Sequence, residues 1–252
     1  MVRGLEKFRE VFSGYTEHFV LIGGTACTVL MNDVDIDFRA TKDLDIVLSV
    51  EALDKNFLRH FWKFIEDGGY KQRQKSSGKK VYYRFSKPTD LDFPVMLELF
   101  SRFPDGLKLT GESSIIPIPS DEKVLSLSAI LLEEGSYNFV HAGSVHIDGL
   151  PVAQATHLIP LKAQAWLDLT TRKGNGENVD SRDIRKHKND IIRLFQLLTA
   201  EDNVNLPLAM IMGMSEFVAH METSEPINFK SLGLRNVSIQ EITVQLKKIY
   251  NM

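Results

Sequence analysis

The sequence predicts a mixed α/β (α+β) domain followed by a helical domain, with the division near residue 150. Two observations support this fold class. In residues 1–150, short apolar runs typical of buried strands alternate with segments whose apolar side chains recur at helical spacing. In residues 151–252, helical periodicity replaces the strand-like runs. We therefore expect an α/β core over residues 1–150 and a helical domain over residues 151–252.

The core is predicted to contain, in order, a helix, a strand, a helix, a strand, a helix and two strands, followed by further short β segments. Apolar side chains three or four residues apart indicate the helices, as in Leu5, Phe8 and Phe12. Buried or alternating runs of branched residues indicate the strands. Thr25 is expected to cap the second helix. The predicted elements are residues 5–12, 18–22, 25–31, 43–48, 52–65, 80–85 and 93–100.

The second half shows four segments with helical periodicity. A Gly-Asn-Gly sequence after the first of them predicts a loop. The predicted helices are residues 157–171, 181–198, 206–221 and 239–250.

Composition excludes several classes of protein. A net charge of −3 and a pI near 6.2 exclude a strongly basic nucleic-acid-binding protein, so polyanion binding would need a local basic patch. Cys27 is the only cysteine, which excludes an intramolecular disulfide and a cysteine-cluster zinc site. The N-terminus lacks the apolar run of a signal peptide, and no stretch reaches membrane-spanning length. We expect a cytoplasmic protein without a membrane partner.

A Gly-Gly turn and two aspartates carry the chemistry predicted for the core. The strand ending at Ile22 meets Gly23-Gly24 and then a helix, which would leave backbone N–H groups open to a phosphate. Asp43 and Asp45 lie two residues apart on the next strand and therefore share a face. Paired carboxylates can hold a hard cation against phosphate oxygens. The pattern predicts a metal-assisted site for a phosphorylated ligand.

Glu98 is the candidate for a third carboxylate. It stands alone among apolar residues in a predicted strand, and a buried acid is costly unless it meets a metal or a partner. A second Asp-x-Asp, at Asp90 and Asp92, follows a Pro-Thr turn and precedes a proline. We interpret it as the loop leading into the strand, and we place the metal pair at Asp43 and Asp45.

This order of motifs resembles the DNA polymerase β-like nucleotidyltransferase superfamily, in which a Gly-Gly or Gly-Ser turn, an Asp-x-Asp or Asp-x-Glu strand and a distant strand acid follow one another. The resemblance implies a mixed-sheet core in which Asp43, Asp45 and Glu98 bind magnesium, two ions being expected. A nucleoside triphosphate (NTP) would be the substrate. The residues expected to bind it lie around the turn and before the acids: Gly23, Gly24, Thr25, Arg39, Thr41 and Lys42.

The helical half carries the segments HLIPLKAQAW and SRDIRKHKNDIIRL, and it resembles the AbiEii-type abortive-infection toxin nucleotidyltransferases. The resemblance covers most of residues 18–198 and implies that Lys162 and Asp190 complete the active site. The long, highly charged spacer between the two helices departs from the family pattern, so Asp183 stays an alternative to Asp190. Helix geometry favours Asp190, which lies on the same helix face as Asp183 and His187. This face is polar at its N-terminal end and apolar beyond Asp190. We interpret His187 as structural.

The resemblance implies transfer of a nucleotide to a tRNA end or a protein side chain, by a toxin restrained by an antitoxin protein. Lys162 would neutralise the triphosphate, and Asp190 would keep that lysine charged and oriented. Two other functions stay open: a small-molecule nucleotidyltransferase with an antibiotic-like acceptor, and a non-catalytic nucleotide-binding module. An acidic acceptor pocket would favour the former and a basic groove a tRNA acceptor, whereas three converging acids argue against a silent module.

Overall fold

The computed structural model describes residues 2–74, 80–102, 115–118, 127–223 and 227–252. The chain divides into two compact units, Met1–Ala153 and Gln154–Met252. The first unit combines helices with a mixed sheet, and the second is helical. This confirms the fold class predicted from the sequence.

The first unit is built on one mixed sheet. Its spatial order is β3-β4-β5-β2-β1-β9-β8, with β7 paired to both β5 and β6. Strand β2 lies antiparallel to β1 and parallel to β5, so the segment that carries the paired aspartates is central in the sheet. The strands are β1 (Phe19–Ile22), β2 (Asp43–Leu48), β3 (Lys71–Gln74), β4 (Lys80–Ser86), β5 (Met96–Ser101), β6 (Ile115–Ile118), β7 (Leu127–Leu131), β8 (Ser144–Ile147) and β9 (Leu150–Ala153).

Aromatic packing covers one face of this sheet. Leu44, Phe85 and Leu97 are fully buried positions of β2, β4 and β5 and face the same side by strand alternation. The ring of Phe61 packs against Phe85 with centroids 5.8 Å apart. The alternate positions, including Asp43 and Asp45, must then point to the opposite face. The helices of this unit are α1 (Leu5–Phe12), α2 (Gly23–Asp33), α3 (Lys55–Asp67) and α4 (Glu134–Ala142).

Two local predictions for this unit were wrong. Helix α2 begins at Gly23 with Ile22 as its N-cap, so Thr25 lies inside the helix and does not cap it. Its hydroxyl instead donates a 2.7 Å hydrogen bond to the backbone carbonyl of Asp43. Helix α4 occupies part of a region predicted to hold only short β segments. The burial of Tyr137 and Val140 stabilises this helix in spite of its low helix propensity near Gly135.

The second unit contains the helices predicted for it, with ends displaced by a few residues. Its helices are α5 (Ala155–Gly174), α6 (Ser181–Leu194), α7 (Leu208–Thr223) and α8 (Ile239–Ile249). Helix α8 begins with a capping box between Ser238 and Glu241. Among the described helices, none combines the length and apolar character that a bilayer crossing requires.

Pro160 lies inside α5 without ending it. A proline has no N–H to donate to the carbonyl four residues earlier, which is that of Thr156. The hydroxyl of Tyr250 donates a buried 2.8 Å hydrogen bond to this carbonyl and so replaces the missing donor. Burial raises the pKa of Tyr250 well above its ordinary value, so the hydroxyl stays protonated and able to donate.

Candidate active site

The register of the sheet places the predicted acids in one row. Asp45 on β2 is paired with Ile22 on β1 and with Glu98 on β5. Glu98 is in turn paired with Arg84 on β4. Asp43 lies two residues from Asp45 on the same face of β2. The structure therefore brings Asp43, Asp45 and Glu98 onto adjoining strands at one face of the sheet.

The Gly-Gly turn lies directly against this row. Gly23 has φ +68°, a left-handed conformation that favours glycine, and a Cβ at this position would overlap the carboxylate of Asp45. A Cβ on Gly24 would lie 2.5 Å from Oγ1 of Thr41 and 3.5 Å from Nη2 of Arg39. The absence of both side chains leaves room for the polar groups of the segment before β2 to approach the turn.

The other residues predicted to bind a triphosphate occupy different environments. Thr25 ties the first turn of α2 to β2 through its bond to Asp43. Arg39 is half-buried, with its guanidinium 5.2 Å from the ring centroid of Phe38. Lys42 is exposed in the segment before β2. Arg39 therefore lies beside the turn, whereas Lys42 would have to reach a ligand from solvent.

Glu98 is held by an arginine that sequence analysis missed. Its Oε1 accepts hydrogen bonds from Nε of Arg84 at 2.7 Å and from Nη2 of the same side chain. Glu98 is only 8% exposed, so the guanidinium supplies the partner that a buried acid needs. The signal for Arg84 was its place between Tyr83 and Phe85 in an alternating strand, which puts it on the polar face.

The fit of a metal differs among the three acids. Asp43 and Asp45 offer oxygen donors on one face, as a hard cation requires. Arg84 competes with a metal for Glu98, because both of its hydrogen bonds go to Oε1 and only Oε2 is left. Accordingly, within the described ranges, no group of three or more His, Cys, Asp or Glu side chains is arranged to hold a metal ion. The aspartate pair fits magnesium, whereas Glu98 is bound to Arg84.

In the second unit, Lys162 and Asp190 form a buried ion pair. Nζ of Lys162 donates a 2.9 Å hydrogen bond to Oδ2 of Asp190, and the two side chains are 6% and 0% exposed. Nη1 of Arg193 lies 3.9 Å from the other carboxylate oxygen. Asp183, the alternative to Asp190, is exposed in the first turn of α6. The geometry thus pairs the predicted lysine with Asp190.

The second Asp-x-Asp lies in turn residues, as interpreted from the sequence. Oδ1 of Asp90 accepts a hydrogen bond from the backbone N–H of Asp92 at 2.9 Å. Nε of Arg3 donates to the carbonyl of Leu91 at 2.6 Å and fixes the loop. The Asp90 carboxylate therefore stabilises a turn.

No protein-family model and no curated protein matches this chain. Among solved structures, an antigenic nucleotidyltransferase-like protein from Paracoccidioides brasiliensis is similar with a TM-score of 0.49 and 12% identity, over 97% of this chain and 94% of its own. The protein JHP933 from Helicobacter pylori is similar with a TM-score of 0.43 and 15% identity, over 96% of this chain and 87% of its own.

Proposed function

We propose that this chain is a magnesium-dependent nucleotidyltransferase, which transfers a nucleotide from an NTP to an acceptor hydroxyl and releases pyrophosphate. One observation carries the proposal: the side-chain-free turn at Gly23-Gly24 lies against the carboxylate of Asp45, with Asp43 on the same face of β2. A phosphate cradle and a pair of metal-binding acids thus adjoin each other, which is the arrangement that phosphoryl chemistry needs.

The triphosphate would bind at the turn where α2 begins. The first N–H groups of α2 have no partner within the helix, and the helix dipole favours negative charge at that end. Arg39 and Thr41 lie beside Gly24 and could donate further hydrogen bonds to phosphate oxygens. These groups position the triphosphate beside Asp43 and Asp45.

Asp43 and Asp45 would hold magnesium, with Glu98 as third ligand. Bound magnesium would offset phosphate charge and lower the pKa of the attacking hydroxyl. Asp45 or Glu98 would accept the proton of the attacking hydroxyl. In this proposal Lys162, oriented by Asp190, neutralises the triphosphate.

We propose a tRNA end or a protein side chain as acceptor, and a toxin restrained by an antitoxin as the physiological role. The test is incubation of the protein with each α-labelled NTP, together with total tRNA or with the protein alone. Label in tRNA or in protein identifies the acceptor class. Label only in an added aminoglycoside-like alcohol would instead support the small-molecule enzyme, and NTP binding without any transfer would support the non-catalytic module.

NTP binding is expected to require a divalent metal, because Asp43 and Asp45 would otherwise repel the triphosphate. In the presence of magnesium, NTP at about a hundred times its Kd should raise the free energy of unfolding by about 2.7 kcal/mol. Thermal unfolding measures this stabilisation. The same nucleotide in excess chelator should give a clearly smaller stabilisation. Equal stabilisation in chelator would contradict a metal-assisted site.

Replacing Arg84 by glutamine is expected to tighten metal binding by about tenfold, since it frees Glu98 and removes a competing positive charge. The variant should unfold at a lower temperature than the wild type without metal, and Mn²⁺ should raise that temperature by more than it does in the wild type. Arg102→Gln is the matched control, because Nη2 of Arg102 lies 2.8 Å from Oε1 of Glu51 in another arginine–glutamate pair of the same unit. Unchanged or weaker Mn²⁺ binding in Arg84→Gln would contradict the prediction.

A further inference from the structure

An open pocket with a volume of about 510 Å³ lies within the second unit. Helix α5 lines it with Trp166, Thr170 and Lys173, which share one stripe of the helix. Helix α6 lines it with Arg185 and Lys188, three residues apart on one face. Stripes of these two helices therefore form two walls of the pocket, and His220 of α7 adds to the lining. Its volume is in the range that proteins use for small ligands, about 300–1,000 Å³.

Positive charge dominates the lining of this pocket. Lys173, Arg185 and Lys188 are cations, and no Asp or Glu occurs among the described residues that line it. Two acids of the connection between α5 and α6 are bound to other arginines: Glu177 lies 2.8 Å from Nε of Arg172, and Asp180 lies 2.8 Å from Nη2 of Arg182. In a chain with a net charge of −3, this is a local basic patch of the kind that binds an anion.

Rings and amides line the same pocket. Trp166 is 4% exposed, and its ring centroid lies 4.9 Å from that of His220. Burial, followed by the nearby charge of Lys188, lowers the pKa of His220 and so favours the neutral imidazole. Asn189 and Asn228 add amides that can both donate and accept hydrogen bonds. A ring surface with amides beside it suits a nucleobase.

We propose that this pocket binds a nucleotide unit. Lys173, Arg185 and Lys188 hold its phosphate, and the base lies against the exposed ring of His220, which packs against Trp166. A free nucleotide and a nucleotide within single-stranded RNA offer the same chemistry, and the experiment below separates these two sources. The proposal goes beyond the transfer reaction and does not depend on it, because none of these residues belongs to the Gly-Gly turn or the aspartate pair.

The test uses the fluorescence of Trp166 in the full chain. The sequence contains two tryptophans, so Trp62→Phe leaves Trp166 as the sole emitter. Chelator in the buffer disables the other proposed nucleotide site, which is expected to bind nucleotide only with a divalent metal. AMP or a six-nucleotide oligoadenylate should quench the emission saturably, and adenosine or inorganic phosphate should bind at least about tenfold more weakly.

Lys173→Gln and Arg185→Gln are each expected to weaken binding by about tenfold, since each removes a charge-assisted phosphate contact. Both side chains are exposed, so neither change should alter the circular dichroism or the melting temperature. Lys186→Gln is the matched control: Lys186 is exposed beside Arg185 on α6 but does not line the pocket.

Comparing the affinities of the oligoadenylate and of AMP distinguishes single-stranded RNA from free nucleotide as the ligand. Tighter binding of the oligonucleotide than of AMP, with log K falling by about 0.7 per tenfold increase in salt for each phosphate contacted, assigns the pocket to single-stranded RNA. Equal affinity for both assigns it to free nucleotide. The proposal is overturned if no phosphorylated ligand quenches Trp166 saturably, if adenosine binds as tightly as AMP, or if the two pocket variants bind like Lys186→Gln. Failure of transfer by the wild type would overturn only the proposed function.

Discussion

Replacing Asp43 or Asp45 by asparagine is expected to reduce nucleotide transfer by at least about a hundredfold while leaving the fold intact. Each change removes a ligand charge without changing the size of the side chain. Both aspartates are half-buried, so a neutral amide is tolerated at either position. The measurement is the initial rate of transfer from labelled NTP at saturating magnesium, together with the melting temperature of each variant.

Asp90→Asn is the control for this prediction, because it alters the other Asp-x-Asp of the chain. Oδ1 of Asp90 accepts the backbone N–H of Asp92, and the carbonyl oxygen of an asparagine can accept the same bond. Its transfer rate should therefore equal that of the wild type. If Asp43→Asn or Asp45→Asn retains a rate within about tenfold of the wild type, the acids that hold the metal lie elsewhere.

The neighbourhood of the Gly-Gly turn could be predicted from the sequence because its signals are local. A short apolar run followed by Gly23-Gly24 indicates a strand and a turn independently of the rest of the sequence. Alternation in residues 43–48 places Asp43 and Asp45 on one face without knowledge of the neighbouring strands. Helical periodicity was equally sufficient for the four helices of the second unit.

The remainder of the site depends on contacts that local patterns do not encode. The ion pair of Glu98 with Arg84 arises from the register of β4 on β5, and a shift of one residue would place the arginine on the other face. The continuation of α5 through Pro160 depends on the hydroxyl of Tyr250, which is distant from this helix in the sequence. In both cases a distant side chain satisfies a group that local analysis finds without a partner.

The buried pair in the second unit leads to the other prediction with a large expected effect. Lys162→Met leaves Asp190 buried and without its 2.9 Å partner, which is expected to lower the free energy of unfolding by about 3 kcal/mol. The loss should be at the lower end of the range for broken buried pairs, since Arg193 stays 3.9 Å from the same carboxylate. Arg172→Met, which breaks an exposed ion pair on the same helix, should leave the melting temperature unchanged.

If Lys162 neutralises the triphosphate as proposed, its loss should also reduce transfer, because a desolvated charge contact of this kind is worth about 2–4 kcal/mol in the transition state. A destabilised variant would lose activity for a trivial reason, so Lys162→Met must be compared with the double variant Lys162→Met/Asp190→Asn. The double change removes both charges, so no carboxylate is buried without a lysine partner. Its stability should therefore recover toward that of the wild type.

Transfer by the double variant decides what Lys162 does. If Lys162 neutralises the triphosphate, restoring stability does not restore that positive charge, and the rate stays lower by orders of magnitude. KM for NTP should then rise and kcat should fall, whereas metal binding at Asp43 and Asp45 should be unchanged. A double variant that regains both stability and wild-type transfer would show that the pair only holds α5 and α6 together. In that case Lys162 and Asp190 would be structural, and the proposed transferase would rest on the residues of the first unit alone.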